Sequence, residues 1–272
     1  MVKSVLVVGC GYLGLRVATL LHARGDRVFA TTRKQQRLVE LRRLNIEPVL
    51  FDVLTPTTLP QTDVVVHAVG LDRSAGVPMR TVYVDGLRNV LACRNAPRFV
   101  HVSSTSVYGQ SDGEWIDEQA PTEPRDESGR IVREAETLLT TDAVVLRFAG
   151  IYGPGRLIGA VGLRAGKPIA GDPNGWLNLI HVADGANAVV AAIDRGQGVY
   201  NVADGSPVLR CDFYSYLAEL IGAGFPTFSP IGDAPNRRIN ARRMGEDLGI
   251  IPCFADYRAG LLAAYHEEYE RS

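Results

Sequence analysis

The chain has 272 residues, with 29 basic and 30 acidic side chains and a formal net charge of −1 at pH 7. This balance argues against a nucleic acid or an anionic membrane as the main partner. The length suits one large α/β domain, or a domain with a small second lobe, and such a chain buries enough apolar surface to need no disulfide or metal for stability. The cysteines, Cys10, Cys93, Cys211 and Cys253, show no C-x-x-C spacing, which is typical of free thiols in a reducing compartment.

The N-terminus leads directly into the apolar run Val5–Val8. We find neither the apolar core of a signal peptide nor an apolar span of about 18 residues. We therefore expect a soluble, cytoplasmic protein that binds a small molecule, and we allow for a homodimer.

Short apolar runs alternate with amphipathic stretches through the first 150 residues. The strand candidates are Ser4–Val8, Arg27–Thr31, Glu47–Phe51, Asp63–His67, Phe99–Ser103 and Ala143–Phe148. Most are continuous runs of Val, Leu and Phe, as expected of parallel strands buried on both faces. Repeated strand–helix–strand units predict right-handed crossovers and an α/β fold with a doubly wound parallel Rossmann sheet.

The helices follow from the spacing of apolar residues. Leu13, Val17, Leu20 and Leu21 form one helical stripe, and Gly25 ends that helix. The segment 112–129, rich in proline and acidic residues, predicts a surface loop. Further helices are expected near Ile131–Leu139, Val182–Ile193, Asp212–Leu220 and Tyr257–Glu270. We predict a Rossmann domain from residues 1–150 joined by 178–203, and a small C-terminal substrate lobe from 151–177 and 204–272.

A glycine-rich loop directly follows the first strand and opens the first helix. Gly9, Gly11 and Gly14 give the pattern G-x-G-x-x-G, with Cys10, Tyr12 and Leu13 between them. The first glycine permits a tight turn, the second lets the backbone approach a pyrophosphate, and the third allows close helix–strand packing. The motif alone also fits an ordinary glycine-rich turn, but its place between a strand and a helix favours dinucleotide binding.

The end of the second strand favours NADP(H) over NAD. A site for NAD places Asp or Glu about 20 residues after the loop, to hold the ribose 2′-hydroxyl. Here Thr32 is followed by Arg33 and Lys34, and a guanidinium suits a 2′-phosphate. The alternative is a solvated helix start, and NAD stays possible.

Motifs along almost the whole chain resemble extended short-chain dehydrogenases/reductases of the NAD-dependent epimerase/dehydratase kind. The most specific is Ser103–Gly109, which is similar to the S-S-x-x-V-Y-G of that family. The other matching segments are Asp52-Val53, His67–Gly70, Tyr83–Asn89, Leu146-Arg147, Ile151–Gly155, Ile180–Asp184 and Tyr200–Val202.

The resemblance implies roles for particular residues. Ser104 matches the catalytic Ser/Thr that hydrogen-bonds the reacting oxygen of the substrate, and Ser106 and Tyr108 are further catalytic candidates. The implied cofactor-binding residues are Gly9, Gly11, Tyr12, Leu13, Gly14, Thr32, Arg33, Lys34, Asp52, Val53, Ala68, Val69, Gly70, Arg147 and Tyr152. Strand-end capping is the alternative for the serines, and simple packing is the alternative for Tyr108 and Tyr152.

The Y-x-x-x-K pair of the family, in which tyrosine is the general acid/base, is missing from this sequence. The resemblance aligns Ser128 with the tyrosine and Val132 with the lysine, and neither residue type occurs between Gly109 and Phe148. His67, His101 and His181, at strand ends, are more typical of structural than of catalytic residues, and no spacing indicates a metal site.

These observations together favour an atypical family member that uses NADP(H). We expect an oxidoreductase or epimerase that acts on a small polar or nucleotide-sugar-like substrate, with Ser104 orienting the reacting oxygen. Two alternatives stay open, a sensor that binds NADP(H) without chemistry, and an isomerase or lyase.

Overall fold

The computed structural model describes residues 2–55, 57–229 and 235–269. The strands are β1 (Ser4–Val8), β2 (Arg27–Thr32), β3 (Glu47–Leu50), β4 (Val64–His67), β5 (Arg98–Ser104), β6 (Trp115–Ile116), β7 (Val144–Phe148), β8 (Gly150–Tyr152), β9 (Ile169–Ala170), β10 (Trp176–Leu177), β11 (Leu179–His181), β12 (Val199–Val202), β13 (Val208–Leu209), β14 (Phe228–Ser229) and β15 (Arg238–Ile239). The helices are α1 (Tyr12–Ala23), α2 (Arg37–Arg43), α3 (Gly86–Cys93), α4 (Glu127–Glu136), α5 (Ala160–Arg164), α6 (Val182–Arg195), α7 (Arg210–Leu220), α8 (Arg242–Leu248) and α9 (Tyr257–Tyr269). A π-helical segment, Thr81–Asp85, runs into α3, and 3₁₀ turns lie at Arg73–Ala75 and Thr105–Val107.

The central sheet has the strand order β3-β2-β1-β4-β5-β7-β12, and all of its pairs are parallel. The doubly wound parallel sheet expected from the sequence is therefore confirmed. The direction of winding reverses between β1 and β4, and ligands of such sheets bind in the crevice outside the carboxyl ends of those strands.

Alternate residues of β1 face the two layers of helices. On one face, Val5 and Val7 pack in a core cluster with Val17 of α1 and Val189 of α6. On the other face, β1 packs in a second cluster with α3, through side chains such as Leu87. A continuous apolar run is thus buried on both sides, which is why the parallel strands could be recognised without alternation.

Several element boundaries differ from the sequence predictions. The helix expected near Ile131–Leu139 runs instead from Glu127 to Glu136, because the Asp126 side chain accepts a hydrogen bond from Gly129 N at 2.7 Å and caps it earlier. The segment 112–129 is not all loop, since it contains β6 and the first turn of α4. Helix α2 and strand β12 were not predicted, and Glu270 lies outside the described residues.

A third cluster lies beyond the sheet, in the part of the chain assigned to the substrate lobe. Tyr152 packs there with Leu163 of α5, Phe213 and Leu217 of α7, and Leu261 of α9. The lobe boundaries stay a prediction. No helix in the described part of the chain is both long enough and apolar enough to span a bilayer.

Candidate functional site

A cavity of about 830 Å³ opens along the carboxyl ends of β1, β2, β4 and β5. One end is lined by the glycine loop and by Thr32, Arg33 and Lys34. The other end is lined by Ser104 and the residues around it. We call these the cofactor end and the reaction end.

The glycine loop has the geometry of a phosphate cradle. Gly9 has φ +92°, and a Cβ there would lie 2.6 Å from the carbonyl carbon of Ala68. A Cβ at Gly14 would lie 2.2 Å from Gly9 O, so the packing of α1 onto the loop requires glycine. A Cβ at Gly11 would meet no atom within 4 Å, and Gly11 lines the cavity at the N-terminus of α1. Since no described residue requires glycine at this position, its open space fits a bound pyrophosphate.

Positive charge gathers at the rim of the cofactor end. Arg33 and Lys34 line the cavity, and so does Arg37, which begins α2 and which we did not predict. Arg37 Nη1 donates a hydrogen bond to Cys10 O at 2.9 Å, tying α2 to the glycine loop. Arg33 Nη2 lies 3.3 Å from Oδ2 of Asp72, which also lines the cavity. This carboxylate offsets part of the positive charge that a 2′-phosphate would meet.

At the reaction end, the 3₁₀ turn after β5 holds the serines. Ser104 Oγ accepts a hydrogen bond from Ser106 N at 3.1 Å, and both residues line the cavity together with Thr105. Because that bond uses only an acceptor site, the Ser104 hydroxyl keeps its proton available for donation. Ser104 thus does cap the turn at the strand end, and its hydroxyl is free to act on a ligand as well.

Helix α4 forms an apolar wall opposite the serines. Val132 and Ala135 line the cavity, whereas Ser128 is exposed and lies outside the lining. A Cβ at Gly129 would lie 2.3 Å from Ser106 O, so the first turns of α4 press closely against the serine turn. The position aligned with the tyrosine of the family, Ser128, therefore lies in solvent. The position aligned with the lysine, Val132, lies in the cavity wall.

Beneath the serines lies a buried ionic network. Arg147 Nε and Nη2 donate to the two carboxylate oxygens of Glu136 at 3.0 and 2.8 Å, and Ser103 Oγ donates to the same carboxylate at 2.6 Å. Arg147 Nη1 donates to Tyr108 Oη at 3.0 Å, and that hydroxyl donates to Asn201 Oδ1 at 2.8 Å. Burial raises the pKa of Tyr108 more than Arg147 lowers it. Arg147 and Tyr108 are engaged in this network, and neither lines the cavity.

Four further predicted cofactor residues also lie outside the cavity lining, and one of them is Gly14, which packs against Gly9 O. Asp52 Oδ1 accepts a hydrogen bond from Leu54 N at 2.9 Å. Val53 packs closely against Gly86, where an added Cβ would lie 2.8 Å from the Cγ2 of Val53. Tyr152 is fully buried in the third cluster. By contrast, the lining includes Gly9, Gly11, Tyr12, Leu13, Thr32, Arg33, Lys34, Ala68, Val69 and Gly70.

His67 and His101, whose pairing the sequence did not predict, meet in the lining of the cavity. The Nδ1 atoms of His67 and His101 lie 3.1 Å apart, and the rings stack with centroids 5.1 Å apart. Burial lowers the pKa of His101 to about 4 and holds that of His67 well below its usual range. Both rings are therefore neutral at pH 7, and one Nδ1 donates its proton to the other. The described residues contain no group of three side chains that could hold a metal ion.

Comparison with known proteins gives consistent results. The model of the NAD dependent epimerase/dehydratase family matches residues 5–203. Protein YeeZ of Escherichia coli is 31% identical over 266 residues, covering 91% of this chain and 95% of that protein. The solved structure of a conserved protein of unknown function from Silicibacter pomeroyi has a TM-score of 0.77 at 29% identity and covers 98% of this chain and 99% of its own. MoeE5 in complex with UDP-glucose and NAD has a TM-score of 0.79 at 25% identity and covers 98% and 99%.

The Rossmann sheet, the open glycine loop and the adjoining cavity define a dinucleotide-binding protein, and the family match makes the dinucleotide a nicotinamide cofactor. The chain belongs to the NAD dependent epimerase/dehydratase family, as its motifs indicated. This membership makes it an enzyme of the oxidoreductase and epimerase class.

Proposed function

We propose that this chain is an NADP(H)-dependent oxidoreductase or epimerase that acts on a small polar or nucleotide-sugar-like substrate. The observation that carries the proposal is a single cavity joining the open side of Gly11 to the hydroxyl of Ser104. When bound, the nicotinamide would supply or accept a hydride. The UDP-glucose complex of MoeE5 supports a sugar nucleotide as one substrate class.

The residues of the chain would divide the work along the cavity. The N-terminus of α1 at Gly11 would receive the pyrophosphate, and Arg33, with Lys34, would hold the 2′-phosphate. Ser104 would donate a hydrogen bond to the reacting oxygen and so orient it. The apolar wall of α4, formed by Val132 and Ala135, would exclude water from that oxygen.

Cofactor choice is tested by calorimetric titration with NADPH and NADH. We expect NADPH to bind more tightly, and Arg33→Ala to remove about tenfold of its affinity, because a charge-assisted contact to the 2′-phosphate is lost. Arg42→Ala is the matched control, since Arg42 is exposed on α2 and lies outside the cavity lining. Equal affinity of the native protein for both cofactors would refute the choice of NADP(H).

The role of Ser104 is tested by turnover in a screen of carbonyl compounds and sugar nucleotides. Ser104→Ala should reduce turnover without weakening NADPH binding, whereas Ser215→Ala on the exposed side of α7 should change neither. Robust turnover that is unaffected by Ser104→Ala would place the chemistry elsewhere.

A second candidate function is a sensor that binds NADP(H) without turnover. It is favoured by Val132, an apolar side chain in the cavity wall at the position aligned with lysine. NADPH binding with no turnover in the screen would favour the sensor over the enzyme.

A further inference from the structure

A buried arginine lies at the reaction end of the cavity. Arg237 is only 7% exposed and lines the cavity near the serines. Its backbone is fixed, because its carbonyl accepts a hydrogen bond from Asn178 Nδ2 at 2.8 Å and the next residues form β15, which pairs with β6. The position of this side chain is therefore set by the fold and not by a free loop.

The guanidinium has only part of its hydrogen-bonding capacity satisfied. Nη2 donates to Thr105 O at 2.6 Å, whereas Nη1 is buried and has no hydrogen-bond partner among the described residues. Arg237 forms no ion pair with any described residue. The charged and titratable groups that act on it from a distance are Asp126, Tyr108 and Glu114. Burial lowers the pKa of Arg237 to about 10, so it still carries its charge at neutral pH.

Comparison with Arg147 shows that Arg237 lacks a carboxylate partner among the described residues. Both arginines are similarly buried, but Arg147 faces Glu136, with which it forms two hydrogen bonds. A buried cation without a counter-ion is strongly unfavourable, and proteins keep one where a ligand completes it or function requires it. Because Arg237 lines the cavity, an anion that enters the cavity lies beside a guanidinium whose Nη1 has no partner among the described residues.

We propose that Arg237 binds an anionic group of the substrate, a phosphate or a carboxylate, at the reaction end of the cavity. The inference rests on the proposed function, because it places this group beside the oxygen that Ser104 would orient. Thr105, whose carbonyl holds the guanidinium, directly follows Ser104 in the chain. The anionic group and the reacting oxygen are therefore held close together, which selects a substrate with its negative charge near the reacting carbon.

The test measures the binding of small anions to protein already saturated with NADP⁺, which keeps them away from the glycine loop. Inorganic phosphate and oxalate serve as the phosphate and carboxylate probes in calorimetric titrations. We expect at least one of them to bind, and Arg237→Met to weaken it by tenfold or more. The anion that binds more tightly identifies the chemistry. Arg242→Met is the matched control, because Arg242 is exposed on α8 and its side chain is 78% accessible.

A second variant and a stability measurement separate binding from folding. Arg237→Lys keeps the charge and should recover part of the anion affinity. The melting temperature of Arg237→Met without anions should be no lower than that of the native protein, whereas a purely structural role predicts a lower one. Equal anion affinity in Arg237→Met and native protein, or no anion binding to either, would overturn the inference. A protein that fails to bind NADP⁺ refutes the proposed function instead, and the difference between native and Arg237→Met protein is then measured without cofactor.

Discussion

The two ends of the cavity are built in different ways. The cofactor end uses backbone groups and exposed cations from one stretch of chain, with Gly11 and Arg33 only 22 residues apart. The reaction end brings together Ser104, Val132 and Arg237, which come from distant segments, and rests on the buried Glu136–Arg147 pair. The cofactor end thus depends on glycines that leave room for a ligand. The reaction end depends on whether each buried charge has a partner.

The largest effect is expected at the cofactor end. Gly11→Val should abolish dinucleotide binding, because a side chain would fill the space that fits the pyrophosphate. The circular dichroism spectrum should be unchanged, and NADPH should no longer raise the melting temperature. Gly224→Val is the control, since a Cβ there also meets no atom within 4 Å but the residue lies outside the cavity. A variant that still gains stability from NADPH would place the cofactor elsewhere.

At the reaction end, the next largest effect is expected on the stability of the fold, through the buried Glu136–Arg147 pair. Glu136→Gln should lower the free energy of unfolding by about 3–5 kcal/mol, because Arg147 would be left buried without its counter-ion. Urea unfolding measures the loss. Glu47→Gln removes a carboxylate from an exposed pair with Arg27 and should cost much less. Similar losses in the two variants would show that the network is not what holds this end together.

The histidine pair makes the stability of the protein depend on pH. The pKa of His101 is about 4 in the folded protein and ordinarily 6.5, so the unfolded chain binds more protons between these values. The free energy of unfolding therefore keeps this contribution in full above pH 6.5. It falls by about 3 kcal/mol as the pH drops toward 4. His101→Phe should flatten this part of the profile in denaturation series at several pH values, whereas His22→Phe on the partly exposed α1 should not.

Asp204 changes the stability with pH in the opposite direction. Burial raises the pKa of Asp204 to about 7, so the folded protein binds the extra proton and stability falls as the pH rises from 4 to 7. The His101→Phe profile is therefore best measured in an Asp204→Asn background. A profile that His101→Phe leaves unchanged in that background would contradict the burial of a neutral histidine pair.

The smallest effect is expected at the rim of the cofactor end. Asp72→Asn keeps a side chain that can accept from Ser74 N but removes the charge that pairs with Arg33. NADPH should then bind a few-fold more tightly, about the scale expected of a single exposed ion pair, and NADH should be little affected. Unchanged NADPH affinity would indicate that Asp72 does not compete with the 2′-phosphate.

The contrast between the ends also explains what the sequence could reveal. The glycine loop, β1 and α1 are contiguous, so the strand, the motif and the helical stripe could be recognised together, and the structure has them as expected. Arg37 was missed because its contact with Cys10 O links two elements. The pairing of His67 with His101 depends on the register between β4 and β5, which sequence spacing does not contain.

The placement of Arg147 and Arg237 shows the same limit. Only three-dimensional packing shows that Arg147 has a carboxylate partner and that Arg237 has none in the part of the chain that the structure describes. The resemblance to the family led us to expect a cofactor role for Arg147, and the sequence offered no comparable motif around Arg237. The neighbouring pair β15–β6 joins residues more than a hundred positions apart, which no local pattern predicts.

The pairing of β15 with β6 also affects the order in which the protein folds. Ile239 can pair with Ile116 only after nearly the whole chain has been synthesised, whereas the seven strands of the central sheet are complete at Val202. Contacts of such long sequence separation form late because loop closure must precede them. A nascent chain should therefore become able to bind its cofactor before it has Arg237, the residue proposed to bind its substrate.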